Sequence, residues 1–112
     1  MINNKTKNVV LAKKVVVANS PIKRMTGLLG RKSLDAQEAL IIKPCNAIHT
    51  FFMRFPIDII FLSKNNEVVK VISDIPPFCL SPICFKSNFV IELPAGTILS
   101  SKTSVGDKID IE

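Results

Sequence analysis

The sequence predicts an α+β domain, predominantly antiparallel β, with a curled or barrel-like sheet of about seven short strands, a short helix in the N-terminal third and a second short helical turn. Three observations lead to this. Short runs rich in Val, Ile and Phe recur along the chain, each bounded by Gly, Pro, Asn or Ser. One segment, SPIKRMTGLLG, combines helix-capping residues with an amphipathic stripe. No repeat, linker or low-complexity tract divides the 112 residues, so 1–112 reads as one domain with enough chain to bury a core.

Taken in order, residues 1–7 are polar and terminal and are expected to be disordered. NVVLAKKVVVA (8–18) reads as a strand, with Lys13 and Lys14 marking a bulge or an exposed edge. Ser20 suits a helix N-cap, Pro21 the first helical position and Gly30 the residue after the last turn, while Ile22, Met25, Leu28 and Leu29 share one face. RKSLDAQ is a loop, and EALIIKP a strand ended by Pro44. Two strands follow at 46–53 and 57–62, separated at Pro56, which cannot donate to a ladder.

IDIIFLSKNNEVVKVIS reads as a hairpin turning at Lys64, Asn65 and Asn66. IPPFCLSPIC, with three prolines in ten residues, is an extended loop laid across the domain. NFVIELP is a further strand, AGTILSSK a short helical turn, and VGDKIDIE a turn and closing strand.

Composition narrows the function classes. Hydrophobic residues make up 47% and charged residues 21%, which places the chain among globular proteins. No run approaches the roughly 20 apolar residues of a membrane span, and the N-terminal stretch lacks a signal-peptide pattern, so a cytoplasmic protein with no membrane partner is expected. Three cysteines suit a reducing compartment better than a disulfide framework. Residues 1–34 hold eight Lys or Arg and no acid, whereas the remainder holds seven basic and nine acidic residues. That asymmetry is compatible with a polyanion surface, although aromatic residues that would stack on bases are not interleaved with it.

Three blocks carry a resemblance. RMTGLLGR (24–31), FFMRFPIDIIFLSKNNEVV (51–69) and FVIELPAGT with VGDKI (89–109) are similar, in order and spacing, to the domain of unknown function 192 family. Leu29 stands where Met is frequent and Ile57 where Leu is frequent, and FCLSPICFKSN (78–88) departs from the small Gly-containing connection of the family. The resemblance covers essentially the whole chain and implies a compact, mostly β domain. It implies no particular reaction.

Candidate site residues are the charged groups set among apolar ones. Strand alternation puts Asp58 on the same face as Ile60 and Leu62, where it requires donors: Arg24, Arg31 or Arg54, or main-chain amides at a helix start or turn. His49 is the single histidine, and Arg54 adjoins the Pro56 break, where a guanidinium could hold a carboxylate or phosphate. Glu92 is a second acid inside an apolar run and, with Asp58, a structural polar group. Cys45, His49, Cys79 and Cys84 have the residue types of a zinc site but not the spacing, and no metal or cofactor is expected.

The function expected from these residues is a small binding or accessory module. Its polar recess, bordered by Arg24, Arg31, His49, Arg54 and Asp58, would take an anionic small molecule or a peptide segment. The alternatives are a hydrolase-like enzyme using Asp58, Glu92 or His49, and nucleic-acid binding through residues 1–34.

Overall fold

The computed structural model describes residues 1–18, 33–51 and 53–112. Eight strands are described: β1 (Ile2–Asn4), β2 (Val9–Ala12), β3 (Lys14–Ala18), β4 (Glu38–Ile42), β5 (Ile57–Leu62), β6 (Val68–Ile75), β7 (Phe89–Pro94) and β8 (Ile109–Ile111), with one helix, α1 (Thr97–Ser101). They form a five-stranded sheet in the order β3-β4-β7-β5-β6 and a three-stranded sheet in the order β2-β1-β8. The barrel-like closure expected from sequence is not formed among the described residues, because β3 and β6 remain the outer strands of the larger sheet. The helix expected over 20–30 lies outside the described residues.

The larger sheet buries both faces. On one, Ala39, Ile41, Ile60, Leu62, Ile91 and Leu93 pack with Ile2, Leu11, Ile109 and Ile98 from the smaller sheet and α1. On the other, Leu40, Ile42, Ile59, Phe61 and Val90 pack under Leu34, Ile48 and Met53. Two-sided burial explains why β5 and β7 read as near-continuous apolar runs instead of alternating ones.

Two sequence readings are corrected here. The single strand read over 8–18 is two: the chain leaves the small sheet after Ala12 and enters the large one at Lys14, and the amides of both Lys13 and Lys14 donate to the Gln37 carbonyl at 2.8 and 2.9 Å. β3 then pairs parallel to β4, which makes the sheet mixed; parallel neighbours cannot be joined by a tight turn, and Ala18 and Glu38 are far enough apart in the chain to allow the pairing. The described residues of 46–53 form no strand, only an isolated bridge between His49 and Leu80, because Thr50 turns the chain by accepting the Met53 amide on its carbonyl.

The disorder expected for residues 1–7 is also overturned. Ile2–Asn4 is the central strand of the small sheet, paired with β2 and β8, and Ile2 is fully buried. Buried Asn4 donates through Nδ2 to Thr103 Oγ1 at 3.0 Å and to Asp107 Oδ2 at 2.9 Å, and Lys7 Nζ closes on Asp107 at 2.9 Å. Burial alone would raise the Asp107 pKa, but hydrogen bonds from Asn4, Lys7 and the Ser104 amide, with the Lys7 charge, hold it below its ordinary value. Asp107 therefore contributes stability that is present above the ordinary carboxylate pKa and lost as pH falls through its lowered one.

Candidate functional site

Asp58 is fully buried, and three main-chain amides reach its carboxylate. Oδ1 accepts from Asp74 at 2.7 Å, and Oδ2 accepts from Gly96 at 3.1 Å and Ile98 at 2.8 Å. Two local irregularities free these donors. In the β5–β6 ladder, Ile57 faces Ile75 but Ile59 faces Ile72, so β6 bulges opposite Asp58 and Asp74 takes a φ of 53°. Helix α1 starts at Gly96, whose φ of 97° favours glycine, and no side chain within the helix caps it. A carboxylate from a strand some forty residues earlier takes the place of that cap.

Glu92 lies on the adjacent strand and points the other way. Asp58 pairs with Leu93 and Ile59 with Glu92, so the two carboxyl groups project from opposite faces of the sheet. Glu92 stands between Leu40 and Ile59, and burial there raises its pKa from 4.5 to about 7. The two acids therefore do not form an acid–base pair across one site.

The covering segment around His49 is held by a ribbon. Residues 46–50 run antiparallel to 79–84: Thr50 N donates to Cys79 O at 2.9 Å, Ser81 N to Ile48 O at 2.9 Å and Cys84 N to Asn46 O at 2.8 Å. Fully buried Thr50 is its anchor, donating Oγ1 to Pro76 O at 2.6 Å and accepting the Cys79 amide at 2.9 Å. Sequence reasoning missed Thr50, whose one signal was a hydroxyl within an apolar run; its partners lie more than two dozen residues away. Thr50→Val preserves the shape and removes both bonds, so a loss of about 1–2 kcal/mol is expected in urea unfolding, with faster amide exchange confined to 76–84. Unchanged exchange there would refute the anchoring role.

His49 and Arg54 are exposed on this segment. The His49 ring stacks on Phe51 at 5.2 Å between centroids, and its Nδ1 accepts the Phe51 amide at 3.2 Å. Arg54 makes no ion pair among the described residues. Arg24 and Arg31 lie outside the described residues. Cys45, Cys79 and Cys84 form no disulfide among the described residues, and no group of three His, Cys, Asp or Glu side chains converges there as a metal site. Of the basic residues in 1–34, Lys7 is tied to Asp107, whereas Lys5, Lys13 and Lys14 are exposed. No helix among the described residues is long and apolar enough to cross a membrane.

The sequence profile of the domain of unknown function 192 family, described as "Uncharacterized ACR", matches residues 2–111. The chain belongs to this family. A UPF0127 protein of Pyrococcus horikoshii is 37% identical over 97% of this chain and 96% of its own length. Another, from Thermococcus sibiricus, is 34% identical over 100% of this chain and 75% of its own length. The fold is similar to the crystal structure of a protein of unknown function from Novosphingobium aromaticivorans, with a TM-score of 0.86 and 19% identity over 98% of this chain and 83% of that one. Family membership thus extends over the β1 strand, the Asp58 knot and the closing strand β8 alike.

Proposed function

We propose that the protein is a cytoplasmic, single-domain binding module for an anionic small molecule or peptide segment, with hydrogen-bond donors contributed by Arg54, His49, Arg24 and Arg31. The observation that carries this reading is the division of labour between charges. Asp58 is occupied by three main-chain amides and Glu92 lies buried on the opposite face, so neither acid is free to work beside the other, while Arg54 and His49 stand in solvent on one segment. Exposed guanidinium and imidazole donors without an adjacent nucleophile suit anion binding better than hydrolysis. Asp58 serves here as scaffold. The amphipathic pattern of residues 20–30 supports a helix that carries Arg24 on its polar side.

The test is thermal shift with inorganic phosphate, dicarboxylates and short acidic peptides. At least one ligand is expected to raise the midpoint of the parent protein, and Arg54→Ala is expected to abolish that rise while leaving the unliganded midpoint within a few degrees, as for a surface substitution. A ligand-induced rise retained in Arg54→Ala would remove Arg54 from the site. Turnover of any substrate that vanished in Asp58→Asn with folding intact would favour the hydrolase reading instead.

A further inference from the structure

The loop that Leu80 bridges to His49 runs on beyond the proposed anion site and carries a feature that neither the family nor Arg54 explains. Leu80, Ile83 and Phe85 are 69%, 59% and 87% exposed, three large apolar side chains within six residues of one loop. The loop is not loosely draped: Ser81 and Cys84 donate to the Ile48 and Asn46 carbonyls, and Ser87 N donates to Cys84 O at 2.9 Å. It therefore holds these side chains in water in a defined conformation. Phe85 and Lys86 separate two open clefts of about 540 and 390 Å³, the first reaching Lys64 and the second Lys70. The acid in the first cleft, Glu67, is paired with Lys108 at 2.9 Å, so the charge offered around Phe85 is positive.

We infer that this loop docks the protein on an anionic lipid surface, with Ile83 and Phe85 entering the boundary between headgroups and acyl chains and Lys64, Lys70 and Lys86 meeting the headgroups. Charge complementarity selects an anionic occupant. The projecting form of Phe85 selects one that is deformable and apolar just beneath its charged layer, as a bilayer is and a rigid acidic surface is not. The expectation of no membrane partner rested on the lack of a spanning segment, a criterion that does not address docking at a surface.

The experiment is co-sedimentation of the full chain with vesicles of phosphatidylcholine alone or mixed equally with phosphatidylglycerol. Retention is expected on the mixed vesicles and not on the zwitterionic ones, and it should fall as salt is raised. Phe85→Ser with Ile83→Ser, and separately Lys86→Glu, should each weaken partition by roughly tenfold, with the thermal midpoint unchanged because these side chains are exposed. Since the chain has no Trp, Phe85→Trp supplies a lone reporter whose emission should move to shorter wavelength with mixed vesicles. The inference is overturned if no vesicle retains the protein, if both vesicle types retain it equally, or if soluble polyglutamate binds the same residues while vesicles do not. The last outcome would assign the surface to an acidic protein partner. Arg54→Ala should leave vesicle binding intact, which separates failure here from failure of the recess.

Discussion

Replacing Asp58 with alanine is expected to destabilise the protein by roughly 3–5 kcal/mol, because it strips the acceptor from three main-chain donors that belong to two different elements. For a domain of this size that corresponds to a fall in thermal midpoint on the order of 10–20 °C. The amide of Ile98 is buried and would lose its partner, whereas those of Asp74 and Gly96 belong to exposed residues and can recover part of the loss from water. Asp58→Asn should fall between parent and alanine. One of its two polar atoms becomes a donor, so it must meet either the Asp74 amide or the pair at the helix start with the wrong polarity. Hydrogen exchange would localise the effect, with protection lost at Asp74, Gly96 and Ile98 before the sheet centre. An alanine variant whose midpoint stayed within about 4 °C of the parent would show that the carboxylate does not hold β6 and α1 together.

Glu92→Gln is expected to act in the opposite direction, and only in part of the pH range. The folded protein holds the Glu92 proton up to about pH 7, while the unfolded chain releases it near the ordinary value of 4.5. Between those values the folded state binds more protons than the unfolded one, so this group's contribution to stability falls as pH rises. The full difference is about 3 kcal/mol, reached above pH 7. Glutamine keeps the volume and cannot ionise. Its variant should therefore gain on the parent by up to that amount at pH 8 and show no advantage at pH 4. The lowered pKa of Asp107 does not blur the test, since its contribution changes only below the ordinary carboxylate range. Urea midpoints for both proteins across this window decide the matter, and parallel curves would mean that Glu92 titrates in the folded protein as it does in the unfolded chain.

The two acids illustrate how far the residues alone can be read. Alternation along IDIIFL places Asp58 with Ile60 and Leu62, and the need for donors follows from hydrocarbon neighbours. Guanidinium groups and main-chain amides at a helix start or turn were both open from sequence, and the described residues supply three amides. The choice depends on a bulge in β6 and on the start of α1, neither of which sits near Asp58 in the chain. Likewise, nothing within FVIELP tells which way Glu92 points relative to Asp58. That is decided by the register of β7 against β5.

The strands β4, β5, β6 and β7, the hairpin at 63–67 and the closing strand were legible from the sequence because their signals are local: an apolar run of strand length, a turn cluster, a proline at the end. The splitting of 8–18 between two sheets, the parallel pairing of β3 with β4, the capture of Ile2–Asn4 as a central strand and the anchoring of 76–84 by Thr50 came only with the tertiary structure. Each of these is a pairing between segments distant in the chain. Backbone donors and acceptors are chemically alike at every residue, so their partners are chosen by which buried faces meet, a choice the whole fold makes at once.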